Sequence, residues 1–86
     1  MINKEEHYVA WALHLTELDD AYKHLEVLIR KMTGADAIQD SEFAIDLGHV
    51  YAHLNRAWHL RNQRSEITND QWSAFSQFPK DLEPVG

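Results

Sequence analysis

Between Trp11 and Met32 the chain reads WALHLTELDDAYKHLEVLIRKM. Within it, large apolar residues recur at alternating intervals of four and three positions: Trp11, Leu15, Leu18, Tyr22, Leu25, Ile29 and Met32. This heptad spacing is typical of a long helix that packs side by side with another helix. The pattern therefore predicts a first helix over residues 4–33, with this heptad row buried against a second helix.

The residues at the ends of this segment define its expected limits. Asn3 is a favourable N-cap, and Glu6 stands three positions later, where its side chain can complete a capping box. Gly34 follows the apolar row and predicts a left-handed C-terminal stop. Because residues 35–39 form only a short link, the next helix is expected to run back antiparallel beside the first.

Two further helices follow from the same reasoning. A second helix is expected over residues 41–64, capped by Asp40 or Ser41. Its apolar core row is Phe43, Leu47, Val50, Tyr51, Leu54, Ala57 and Trp58. Thr68 and Gln71 form a capping box that starts a short third helix over residues 69–78.

Three aromatic residues share one face of this third helix: Trp72, Phe75 and Phe78. Large aromatic side chains gain much from burial, so we expect them to cover the open end of the hairpin. The side chains they are expected to meet there are Trp11, His14 and Trp58. Two prolines then predict an extended tail over residues 79–86. The fold class is thus all-α, a single domain built as an antiparallel hairpin with a short third helix.

The composition excludes several classes of function. The chain has 86 residues, with 14 acidic and 8 basic side chains, for a formal net charge of −6. This acidity argues against nucleic-acid binding, which needs a basic surface, and against adhesion to anionic membranes. No cysteine is present, so thiolate metal sites and cysteine nucleophiles are excluded. The charged N-terminal residues and the lack of a long apolar run predict a cytoplasmic location.

A second, smaller apolar stripe suggests self-association. Counted at about 100° per residue, part of it lies opposite the heptad row of the first helix, and the rest lies on the reverse side of the second helix. Gly48 belongs to it, and a small residue there permits the close approach of another helix. We interpret the stripe as a partner-binding surface: Val9, Leu13, Val27, Ile45, Gly48 and Ala52. Two hairpins meeting there would form a homodimer that resembles a four-helix bundle.

A possible metal site lies on the flank of the second helix. His49 and His53 are four residues apart, and Asp46 stands three before His49, a spacing used in carboxylate-bridged metal bundles. Glu17 on the first helix could add a carboxylate. The set Glu17, Asp46, His49 and His53 is therefore the alternative interpretation, in which the chain binds a divalent metal; otherwise no cofactor is expected. Another pair, His7 and His14, is expected to lie at the edge of the core.

The one basic segment offers two further interpretations. Arg56 and Arg61, interleaved with Trp58, could bind an acidic partner. The favoured interpretation is that they compensate the helix dipole and form ion pairs with Glu17 or Asp20. No catalytic motif is present. The expected function is therefore a small acidic, non-enzymatic interaction or regulatory module of the adaptor, immunity or antitoxin type, with a protein partner.

Overall fold

The computed structural model describes all 86 residues and contains three α-helices and no strand. Helix α1 spans Tyr8–Gly34, α2 spans Asp40–His59 and α3 spans Asn69–Phe75. The predicted all-helical class is therefore confirmed. None of the three helices has the length and apolar character that a membrane span requires.

The segment before α1 forms a turn instead of the predicted first helical residues. Asn3 does cap this turn, because its Oδ1 accepts the backbone N–H of Glu6 at 2.8 Å. The helix itself begins only at Tyr8. Ile2 is buried, and its backbone N–H donates to the carbonyl of Arg61 at 2.8 Å. This docking holds the N-terminal residues against the chain after α2 and turns them away from the axis of α1.

The junction between α1 and α2 differs from prediction at two points. Gly34 is the last helical residue and does not adopt a positive φ, and the chain leaves the helix at Ala35 in an extended conformation. Gln39 precedes α2, and no side chain caps that helix. Asp40 therefore lies inside the first turn, where its charge complements the helix dipole without capping it.

Helix α2 ends five residues before the predicted limit, at His59. The guanidinium of Arg61 lies over the ring of Trp58 at 3.8 Å, and its Nη1 donates to the Trp58 carbonyl at 2.9 Å. The same carbonyl accepts the backbone N–H of Arg61 at 3.2 Å, three positions later, so the last turn tightens and the helix ends here.

The capping box of α3 is confirmed. Gln71 donates its backbone N–H to Thr68 Oγ1 at 3.1 Å, and Thr68 donates its own to Gln71 Oε1 at 2.9 Å. The helix ends at Phe75, three residues earlier than predicted. Ser76 Oγ donates to the carbonyl of Trp72 at 2.7 Å and so satisfies a group in the last turn.

The two long helices pack together, but not through the predicted row. Buried positions of α1 are His14, Glu17, Ala21 and Leu28, whereas the apolar heptad row is largely exposed: Leu15 51%, Leu18 42%, Tyr22 67%, Leu25 40%, Ile29 56% and Met32 49%. The buried row lies about 90° around α1 from the heptad row, at about 100° per residue. The buried residues of the two helices are polar side chains, two alanines, Leu28 and Val50, which corrects the sequence prediction for α1.

The third helix packs against the C-terminal part of α2, next to the predicted position at Trp58. Phe75 stacks on His59 with ring centres 5.4 Å apart, and Phe78 meets Tyr51 edge-on at 5.1 Å. No Cα of α3 comes within 8 Å of a Cα of α1. Trp58, which was expected beneath these aromatics, instead donates its indole N–H to Asp81 at 2.9 Å. Of the side chains predicted beneath the aromatics, His14 lines the same cavity as Trp72.

Candidate functional site

The most buried polar group of the molecule joins all three helices. Arg56 Nε lies 3.2 and 3.1 Å from the two carboxylate oxygens of Glu17, and both residues are more than nine-tenths buried. Glu17 Oε2 also lies 3.0 Å from His53 Nδ1, and Arg56 Nη2 lies 3.1 Å from the same nitrogen. Arg56 Nη1 then donates to Ser76 Oγ, just beyond α3, at 2.7 Å. The predicted ion pair of Arg56 with Glu17 is confirmed.

Arg56 also determines where α3 lies. Its guanidinium stacks on the ring of Trp72 at 3.9 Å. The neighbouring Asn55, also buried, donates from Nδ2 to the carbonyl of Ser76 at 2.8 Å. Two consecutive polar residues of α2 therefore fix the end of α3 by hydrogen bonds and a cation–π contact. The sequence predicted contacts of Arg56 with acidic residues of α1 or with an acidic partner, and it did not single out Asn55.

A cavity of about 480 Å³ lies beside this network. It is bounded by α1, the segment after α2 and Trp72 of α3, and its walls are mainly apolar. The apolar wall includes Leu13, Leu60, Ile67 and Trp72. Asp20 and Glu66 line it too, and neither forms an ion pair. No lysine or arginine is among the lining residues.

His14 lines the same cavity and has no hydrogen-bond partner. Its residue surface is 9% exposed, and its Nδ1 is buried without a donor or acceptor nearby. Burial lowers the pKa of His14 below 6.5, because desolvation disfavours the charged ring, and the Glu17 carboxylate opposes this effect. His7, predicted as its partner at the core edge, lies apart and accepts the backbone N–H of Asn3 at its Nδ1.

The four predicted metal ligands do not meet at one point. Glu17 and His53 are in contact, but Asp46 instead binds Lys31 Nζ at 2.7 Å and raises the pKa of that lysine. The rings of His49 and His24 meet edge-on at 5.3 Å. No three side chains of the His, Asp and Glu types are arranged to hold a metal ion.

His24 is the residue that sequence reasoning left out of this region. Its ring lies 5.2 Å from that of His53 as well as against His49, so the three histidines cluster between α1 and α2. A signal was available: His24 stands seven residues after Glu17, which places both on one face of α1.

The predicted partner-binding stripe is open to solvent in the single chain. Its large members are between half and two-thirds exposed: Val9 67%, Leu13 57%, Val27 51% and Ile45 61%. A Cβ added at Gly48 would meet nothing within 4 Å, so no part of this chain approaches that glycine closely. Ala52 is half-buried. The heptad row is a second and longer apolar surface, which sequence reasoning had assigned to the interior.

Comparison of the chain with protein-family models, with curated proteins and with solved structures gave no match.

Proposed function

We propose that this chain is a non-enzymatic interaction module that acts as a homodimer. In this proposal α1 and α2 form an antiparallel hairpin, and the hairpin is one half of a four-helix bundle. The observation that carries the proposal is the exposed heptad row of α1, which runs along most of a 27-residue helix.

The side-chain pairs between the two helices support the antiparallel arrangement. Lys31, near the end of α1, binds Glu42 and Asp46 near the start of α2. Glu17, in the first half of α1, binds Arg56 near the end of α2. A residue late in α1 thus pairs with residues early in α2, and a residue earlier in α1 pairs with one late in α2.

Both helices contribute to one apolar face under this arrangement. On α2 the exposed apolar residues Tyr51 and Leu54 lie about 90° around the helix from the side that contacts α1, in the same rotational sense as the heptad row on α1. Viewed from the N-terminus of each helix, both apolar rows are turned from the helix contact by a similar angle and in the same direction. Because the helices run in opposite directions, the two rows then lie on the same side of the helix pair. The heptad row, Tyr51 and Leu54 would therefore form one continuous surface, called here the heptad face.

The surface area supports a second copy as the occupant of this face. The chain exposes 6797 Å², whereas a compact monomer of 10.0 kDa should expose about 5,200 Å². Only five apolar residues are buried, none of them fully: Ile2, Ala21, Leu28, Val50 and Ala57. A stable interface removes about 800 Å² from each partner, which the excess area can supply. A self-complementary apolar face is what a symmetric dimer requires.

Two substitutions distinguish the heptad face from the predicted stripe on the opposite side. Leu18→Glu places a charge in the heptad face, and Ile45→Glu places the same charge in the stripe of Val9, Leu13 and Val27. We expect Leu18→Glu to shift the protein to a single chain, while Ile45→Glu keeps the dimer, as measured by size-exclusion chromatography with light scattering. The reverse result would assign the dimer to the predicted stripe, and a single chain for the wild type would reject the dimer.

A further inference from the structure

The cavity beside Glu17 has the dimensions and lining of a small-molecule site. Its volume of about 480 Å³ falls within the range of pockets that hold small ligands, roughly 300–1,000 Å³. Such pockets combine apolar walls with a few polar groups that orient the ligand. Here Leu13, Leu60, Ile67 and Trp72 form the apolar wall, and Asp20, Glu66 and His14 supply the polar groups.

The charges around the cavity select a cationic ligand. Glu17 is neutralised by Arg56, whose Nε reaches both of its carboxylate oxygens. Asp20 and Glu66 form no ion pair, and no lysine or arginine lines the cavity. An anion would face two carboxylates that form no ion pair, whereas an ammonium group would pair with them.

The lack of a hydrogen-bond partner at the buried His14 is an independent observation that points to a ligand. A polar side chain that is nine-tenths buried normally has a hydrogen-bond partner, and His14 has none. Burial lowers the pKa of His14, which favours the neutral ring. The enclosed nitrogen is Nδ1, so the ring can meet an amine in the cavity only through Nε2, which accepts an N–H when the neutral ring carries its proton on Nδ1.

We propose that this cavity binds a small amine with an apolar body, its ammonium group at Asp20 and His14 and its apolar part against Leu13 and Trp72. Arg56 already stacks on one face of Trp72 and fixes its ring. The site is independent of the proposed dimer, because Leu13 and Asp20 lie about 150–170° around α1 from the heptad row.

The test uses 2-phenylethylammonium, with the neutral 2-phenylethanol and the anionic 3-phenylpropionate as matched probes of similar size. Binding to the full chain is followed by NMR through the resonances of the Trp72 indole and the Leu13 and Glu66 amides. We expect saturable shifts with the ammonium compound and binding at least about tenfold weaker for the alcohol, since a hydrogen bond to a charged group contributes about 1.5–3 kcal/mol. Equal binding of all three probes, or no saturable shift with the amine, would overturn the proposal.

Asp20→Asn provides the matched variant, because it removes the charge and keeps the shape. We expect about a tenfold loss of amine affinity from it, by the same hydrogen-bond energy. Asp36→Asn, in the link between α1 and α2 and outside the cavity, should bind as the wild type does. Unchanged affinity in Asp20→Asn contradicts the proposal.

A tetralysine peptide is tested in parallel, and tighter binding by it than by the phenyl amine would reject a small-molecule ligand in favour of a basic protein segment.

Discussion

Glu17 and Arg56 form a buried ion pair although 39 positions separate them in the sequence, with Arg56 Nε 3.1 Å from Glu17 Oε2. The pair stands where a helix contact normally has large apolar side chains. It connects α1 to α2, and through Ser76 it connects both to the segment that ends α3. One polar network therefore contacts all three helices or the residues next to them.

This contact gives a first prediction on stability. Arg56→Met removes the arginine partner of the buried Glu17 carboxylate and leaves it only His53, which should lower the free energy of unfolding by about 3–5 kcal/mol. The double variant Glu17→Met with Arg56→Met removes both charges and should regain a large part of that loss. Urea unfolding at one fixed protein concentration measures both, because the stability of a dimer depends on concentration.

Arg30→Met is the control: its pair with Glu26 is exposed, so its loss should cost less than about 1 kcal/mol. Equal effects of the two arginine variants would contradict this account.

Acidification should destabilise the protein through His14. Its pKa is lower in the folded chain than the 6.5 of the unfolded chain, so the unfolded state binds more protons in the range between these two values. Stability is therefore fully present above pH 6.5 and falls as the pH drops toward the folded pKa. His14→Leu removes this contribution. The urea midpoint of the wild type should fall more between pH 7 and 5 than that of His14→Leu. Parallel pH profiles of the two proteins would show that His14 does not titrate differently on folding.

Gly48→Ala separates two interpretations of the glycine in the middle of α2. A Cβ there meets nothing within 4 Å, so alanine should stabilise the helix by about 0.5–1 kcal/mol. If the dimer forms through the heptad face, its dissociation constant should stay unchanged in this variant. A weaker dimer after Gly48→Ala would mean that another helix approaches this glycine closely, as the sequence had suggested. Thermal unfolding and the concentration dependence of the mass give the two readouts.

The capping box of α3 should control how often that short helix opens. Thr68→Ala removes the side-chain acceptor of the Gln71 N–H and should cost about 1 kcal/mol. Hydrogen exchange of the Ser76 amide, which donates to Trp72 within this helix end, reports local opening. Thr33→Ala deletes the same atoms from an exposed position at the end of α1 and should leave this exchange rate unchanged. Equal rates in both variants would place the stability of α3 elsewhere.

Local signals in the sequence predicted the number and order of the helices. The capping box at Thr68 and the apolar periodicity of α1 depend on neighbouring residues, and both correspond to features of the structure. Helix ends were less predictable, because they depend on contacts from elsewhere in the chain. Ile2 docking on the Arg61 carbonyl and Arg61 covering Trp58 are examples.

The face on which α1 packs could not be read from its pattern. The heptad row shows that an apolar contact is favoured, but the pattern does not say whether the contact lies within the chain or with another copy. The chain places the row containing Glu17 and Ala21 against α2, and the larger apolar residues stay exposed. The pair of Glu17 with Arg56 was predicted from charge, whereas the cavity with His14 needs the segment after α2 and α3 to be placed in space.

The mass of the wild-type protein in solution tests the central claim most directly. Light scattering after size-exclusion chromatography at micromolar concentration should give twice the 10.0 kDa of one chain, since the heptad row of α1 is largely exposed in the single chain. The same mass should fall toward one chain on dilution if the association is reversible. A mass of 10.0 kDa at every concentration would contradict the account and show that the exposed heptad row is tolerated by a monomer.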